Sequence, residues 1–96
     1  MFARVSRIQG SPDTIEGFVR QVEQSTAALR GMKGFVRGYG LADRDTGRLL
    51  TITLWETAEA MRASEEGANQ LREQVAQAGG ATSPPGVDRY EVVVEV

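Results

Sequence analysis

The sequence predicts an α+β domain with the element order strand, helix, strand, strand, helix, strand, or βαββαβ. Three observations carry this reading. An alternating apolar and polar run opens the chain at residues 2–9, and a valine-rich run closes it at residues 87–96. Two stretches with apolar residues at helical spacing, around residues 15–29 and 60–78, lie inside those ends. Between them, Gly34-Phe35-Val36-Arg37-Gly38-Tyr39-Gly40-Leu41 and Leu49-Leu50-Thr51-Ile52-Thr53-Leu54-Trp55 flank the turn Asp43-Arg44-Asp45-Thr46-Gly47. That pattern is a β-hairpin whose second strand ends in a tryptophan and runs straight into a helix.

Each element has a local cause. Gly10-Ser11 punctuates the first strand, and Ser11 is the expected helix cap, with Pro12 at the first helical position and Asp13 near the positive helix end. Ile15, Phe18, Val19, Val22 and Leu29 form the apolar face of helix one, and Gly31 and Gly34 end it. The hairpin strands run over roughly 35–42 and 48–56. Thr57 is expected to cap the next helix, which contains Glu59, Ala60, Met61 and Arg62. Ser64 with Glu65 and Glu66 makes a second capping signal, so a kink or restart is expected there. Ala68, Leu71, Val75 and Ala78 carry the stripe on to Gly79-Gly80. Residues 79–86 form a loop, and the final strand is expected to span Val87 to the carboxyl terminus.

This order is the split βαβ pattern of ferredoxin-like domains. Right-handed crossovers place the first and third strands side by side in the centre, with both helices on one face of an antiparallel sheet. The other face lacks a cover. Leu50, Ile52 and Leu54 point one way while Leu49, Thr51, Thr53 and Trp55 point the other, so both faces of the third strand carry apolar weight. In the last strand Tyr90, Val92, Val94 and Val96 point one way, opposite Val87, Arg89, Glu91 and Val93. A second copy of the sheet is the expected partner, because a twofold interface lets one surface satisfy itself.

Composition bounds the function. Ninety-six residues, 41% apolar and 25% charged, fit one domain over 1–96 whose small core would gain from self-association. A net charge of −2 and a pI near 5.1 give no electrostatic case for nucleic acid. With no cysteine and no histidine, only carboxylates remain as metal ligands, and the serines have no imidazole base to activate them. Glu65-Glu66 and Asp43 with Asp45 read as a solvated helix start and a turn, so no metal and no cofactor are expected. No leader-like segment opens the chain and no 18-residue apolar run occurs, so a cytoplasmic protein without a membrane partner is the expectation.

Gly34-Phe35, the Asp-x-x-Thr-Gly turn at 43–47 and Leu54-Trp55-Glu56-Thr57-Ala58-Glu59-Ala60 resemble the antibiotic biosynthesis monooxygenase family of dimeric α+β barrels. The resemblance spans nearly the entire chain. It implies two sheets meeting face to face as a homodimeric barrel, and three kinds of role: cofactor-free oxygenation of polycyclic phenols or quinols, haem degradation, or no assigned reaction. The haem-degrading branch uses a histidine from the second helix region, a first-strand asparagine and a helical tryptophan. This chain has no histidine, carries Ser6 or Arg7 at the strand position and has Ser64 about where the tryptophan would fall, so the resemblance does not extend to haem degradation.

The candidate catalytic residues are Tyr39, Trp55 and Arg37; the candidate substrate-binding residues are Arg4, Phe35, Met61, Arg62 and Asn69. Trp55 reads either as a packing anchor or as one wall of an aromatic pocket. Tyr39 can stack on a ring and orient a substrate hydroxyl. By strict alternation Arg37 shares a face with Phe35 and Tyr39, and Arg4 shares one with Ser6. Such arginines suit a phenolate or enolate that passes an electron to dioxygen, or else pair with carboxylates: Arg89 with Glu91 or Glu95, Arg4 across a strand. Phe18, Val22, Met32, Phe35 and Met61 line or fill the space between sheet and helices. The expected function is a cofactor-independent monooxygenase-like protein for a small hydrophobic aromatic compound; the alternative is a non-catalytic dimeric binding or structural module.

Overall fold

The computed structural model describes all of residues 1–96. Its elements are β1 (Phe2–Gln9), α1 (Ile15–Arg30), β2 (Phe35–Asp43), β3 (Arg48–Trp55), α2 (Ala58–Ala63), α3 (Glu65–Ala78) and β4 (Gly86–Glu91). The four strands form one sheet in the order β2-β3-β1-β4, with every neighbouring pair antiparallel. The ferredoxin-like α+β expectation therefore stands, including β1 and β3 at the centre.

The hairpin turn forms as its residues dictate. The Asp43 carboxylate accepts from the amides of Asp45 and Thr46, the Gly47 amide donates to the Asp43 carbonyl, and Gly47 takes φ 75°. Only glycine adopts that conformation without strain. Thr57 caps α2 as expected, its hydroxyl accepting from the Ala60 amide at 3.0 Å. The restart at Ser64 is also real, since α2 ends and α3 begins there.

Four local expectations are corrected. Helix α1 starts at Ile15, not beside Pro12, because residues 12–14 form a turn in which the Thr14 amide donates to the Ser11 carbonyl. Ser64 gives α3 no side-chain cap, because its hydroxyl donates to the Met61 carbonyl and accepts from Arg4. Strand β4 stops at Glu91; the Val92 amide still reaches the Met1 carbonyl, and Val93, Val94 and Val96 are exposed. Finally, a β-bulge between Phe35 and Arg37 shifts the β2 register. Phe35 therefore faces the helices with Trp55, while Arg37 and Tyr39 face the open side, and the expected grouping of all three on one face does not hold.

The core lies between the sheet and helices α1 and α3. Ile8, Ile15, Phe18, Leu49 and Val75 form its buried cluster, with Val22 and Ala81 against it. Phe18 is fully buried in a slot between Gly10 and Gly79, where a Cβ at either glycine would overlap the ring. Burying a side chain of this size contributes about 2–3 kcal/mol. The opposite face of the sheet is bare. There Tyr39, Leu41 and Tyr90 stand about half exposed around Leu50, Ile52 and Leu54.

Candidate functional site

The helix-facing side of the sheet does not pack solid along its whole length. A cavity of about 530 Å³ opens between α1, α3 and strands β1, β2 and β3, within the size range of small-molecule sites. Its apolar wall comes from Val22, Leu29, Phe35, Leu71 and Val75. Two glycines make the space. On β2, Gly38 and Gly40 point at the helices, and a Cβ at Gly40 would reach Val22 Cγ1 at 3.4 Å while one at Gly38 would meet the Phe35 ring at 3.5 Å. Larger side chains there would extend into the void. Paired glycines inside a strand signal a close approach or a ligand, and that signal is legible in Gly38-Tyr39-Gly40.

The cavity has a polar end. Arg4 projects from β1 toward the helices and is 2% exposed. Its Nη2 donates to the Met61 carbonyl at 2.6 Å, to Ser64 Oγ at 2.9 Å and to Glu65 Oε1 at 3.0 Å. Its Nε and Nη1 are buried without a partner. The guanidinium also lies 5.5 Å from the centre of the Trp55 ring, within cation–π range. Beside it, Arg72 from α3 donates through Nε to Ser6 Oγ at 3.0 Å and through Nη1 to Asn69 Oδ1. Burial, and then the neighbouring charge of Arg4, pull the Arg72 guanidinium below its ordinary value.

Glu65 holds this end together. Arg89 from β4 grips its carboxylate with two hydrogen bonds of 2.6 Å, and Arg4 adds the third. The Arg89 hydrogen bonds, opposed by burial and reinforced by Arg4, bring the Glu65 carboxyl down to about 2. Glu65 is thus the hub of an ion-pair cluster, and the expected partners on the strands, Glu91 or Glu95 for Arg89 and a cross-strand carboxylate for Arg4, are replaced by this single residue of α3. Sequence spacing could not show that, because β1, α3 and β4 meet only in the folded chain.

The structure brings together some of the candidate residues and separates others. Arg4 and Phe35 line the cavity. Trp55 is fully buried, sits edge-on to Phe35 with ring centres 5.5 Å apart, and donates its indole N–H to Thr53. Met61 is buried and touches the site through its carbonyl, which receives Arg4. Asn69 is exposed and reaches the site only by positioning Arg72; Arg62 is exposed and makes no hydrogen bond there. The β2 backbone at Arg37 and Tyr39 borders the cavity, but their side chains stand on the opposite face. Sequence reasoning missed Arg72 and Ser6, whose meeting joins two elements distant in the chain. No group of three or more His, Cys, Asp or Glu side chains is gathered anywhere as a metal would need.

The comparisons with known proteins fit this geometry. The antibiotic biosynthesis monooxygenase family model matches residues 1–69. The chain belongs to that family. Among curated relatives, an uncharacterized protein of Mycobacterium tuberculosis is 36% identical over 93 residues, which covers 96% of this chain and 41% of that protein. A second uncharacterized protein of the same organism is 34% identical over 77 residues, 79% of this chain and 33% of its own length. The family domain described here thus spans less than half of the curated relatives it matches. Among solved structures, the Streptomyces coelicolor monooxygenase from the gene ActVA-Orf6, in complex with nanaomycin D, superposes with a TM-score of 0.77 at 21% identity, covering 99% of this chain and 89% of that one. An asparagine-to-alanine mutant of SnoaB, a cofactor-independent oxygenase of Streptomyces nogalater, superposes with a TM-score of 0.73 at 18% identity, covering 99% and 95%. At these identities the two structures speak for the monooxygenase-like fold.

Proposed function

We propose that this family domain takes a small, flat aromatic compound of phenol or quinol type into the cavity between sheet and helices and oxygenates it with dioxygen, using no bound metal or flavin. The observation that carries the reading is the cavity itself, apolar along most of its wall and ending in convergent Arg4, Arg72 and Ser6. Membership of the family and the cofactor-independent oxygenase among its structural neighbours support it. The chemistry asked of the chain is modest. A substrate anion hands one electron to dioxygen, the two radicals combine at a ring carbon, and the peroxide takes up the proton lost on ionisation and eliminates water, so the C–H of a phenol, or the CH₂ of its anthrone-type keto form, becomes C=O. The protein's share is to bind the ring, exclude bulk water and stabilise the oxyanion by guanidinium groups already held in place.

The assembly proposed for this activity is a homodimer closed through the open face of the sheet. Tyr39, Leu41 and Tyr90 are large and half exposed there, and Val93, Val94 and Val96 beyond β4 are exposed as well. A self-complementary apolar face of this kind is what a twofold interface buries. No helix of the chain is long and apolar enough to cross a membrane.

A second reading has a specific observation behind it. Trp55 is sealed in the core, and Arg37 and Tyr39 point away from the cavity, so those three side chains do not converge as a catalytic set. On this reading the cavity serves binding without turnover. Oxygen uptake and quinone absorbance with a panel of anthrones and quinols separate the two readings. Turnover that disappears in Gly40→Val, whose side chain occupies the cavity while the melting temperature is retained, supports the oxygenase. A ligand-induced rise in melting temperature without oxygen uptake supports the binding module, and the absence of both responses overturns the cavity as the site.

A further inference from the structure

The charges around the cavity are distributed unlike those of the chain. The protein as a whole carries a net charge of −2. Yet among the residues that line the cavity are Arg4, Arg30, Arg37 and Arg72, and not one aspartate or glutamate. The Arg37 side chain lies on the opposite face and Arg30 is exposed, which leaves Arg4 and Arg72 as the guanidinium groups at the inner end. The carboxylate paired with Arg4 is Glu65, and Arg89 shares it through two further hydrogen bonds.

A buried guanidinium is costly unless its donors are satisfied and its charge is compensated. Arg4 fails that test as the structure stands, since Nε and Nη1 have no acceptor at 2% exposure. Arg72 commits Nε to Ser6 and Nη1 to Asn69, both neutral, and its Nη2 makes no hydrogen bond. Two cations, Arg4 and Arg72, therefore lie close together at the polar end, and the one counter-ion beside them is shared with Arg89. An anionic oxygen at this end accepts from the free Arg72 Nη2 and offsets the excess charge of Arg72 and the sealed Arg4 beside it.

Resting on the cavity as the binding site, we propose that its ligands are aromatic acids, compounds whose flat apolar part lies along Phe35, Val22, Leu29 and Leu71 and whose anionic oxygen is held at the Arg4–Arg72 end. A carboxylate arrives with that charge; a phenol acquires it by losing its proton on binding. The two sources share the same recognition and differ in one observable, the absorbance of the bound phenol.

Isothermal titration calorimetry at neutral pH with naphthoate, naphthol and the neutral isostere naphthamide tests the proposal on the intact protein. Naphthoate is expected to bind about tenfold or more tighter than naphthamide, the difference set by charge-assisted hydrogen bonds at a water-poor site. In Arg72→Gln, which keeps a hydrogen-bond partner for Ser6, naphthoate is expected to lose more affinity than naphthamide, so that the preference shrinks several-fold. A naphtholate absorbance band on binding naphthol supports the phenol arm. If naphthamide binds as tightly as naphthoate and naphthol stays neutral, or if Arg72→Gln keeps the full preference, the acid-selective end is wrong while the cavity as a site survives. If none of the three compounds binds, both fall.

Discussion

The ion-pair cluster around Glu65 makes a prediction whose size and pH dependence can both be worked out. The perturbation is Glu65→Gln, which keeps an acceptor near Arg4 but removes the charge. Breaking a fully buried ion pair costs about 3–5 kcal/mol. Here Arg4 is 2% exposed, but Glu65 is 26% exposed and Arg89 47%, so solvent screens part of the loss. Arg4 also keeps its bonds to Met61 and Ser64. A loss of about 2 kcal/mol at neutral pH results, a large fraction of the roughly 5–15 kcal/mol expected of a domain this size. At about 4–8 °C per kcal/mol it lowers the melting temperature by roughly 10 °C.

The sign with pH follows from the folded carboxyl lying at about 2 against an ordinary value of 4.5. A depressed carboxyl contributes stability that is complete above its unfolded value and is lost as pH falls toward its folded one. The wild type should therefore lose the Glu65 contribution between about pH 4.5 and about pH 2, whereas the Glu65→Gln variant has no such contribution to lose. The stability gap between the two proteins narrows over that window. Urea unfolding followed by the fluorescence of Trp55, the single tryptophan and fully buried, reads it directly at one fixed protein concentration. A variant within about 0.5 kcal/mol of the wild type at neutral pH, or a gap that stays constant through the acid window, refutes the reasoning.

Two further outcomes follow from packing. Gly79→Ala drives a methyl into the Phe18 ring in a slot with no slack and is expected to cost about 1–3 kcal/mol, measured as a lower urea midpoint; an unchanged midpoint would mean that Phe18 can move aside. Leu41→Glu places a charge on the open face at a residue already half exposed, so the protomer should keep its fold by circular dichroism while light scattering shows the particle dropping from a dimer to a single 10.4 kDa chain. A wild-type protein that already scatters as a 10.4 kDa particle in dilute solution would remove the dimer from the proposal.

How much is legible in the sequence depends on how local the cause is. The hairpin turn is readable because Asp43, Thr46 and Gly47 make it among themselves. The Thr57 cap is readable for the same reason, and so is the break at Ser64. The start of α1 is not: Pro12 suits a first helical position, but Ser11 and Thr14 hydrogen-bond each other in a turn and delay the helix to Ile15. Periodicity fails at Val36, where one extra residue in the strand reverses the facing of Arg37 and Tyr39 relative to Phe35. An alternating pattern cannot report a bulge, since every residue beyond the insertion still alternates.

The chain by itself determined the order of elements, the central pairing of β1 with β3 and the excess of apolar surface that leaves one sheet face uncovered, because these follow from local spacing and from the handedness of crossovers. Only the tertiary structure decided the site. Arg4 opens the chain on β1, Arg72 and Glu65 lie on α3, and Arg89 follows on β4, so the charge excess exists only where these three elements come together. The void beside them arises because Gly38 and Gly40 face the helices, a consequence of the bulge just before them rather than of either glycine alone.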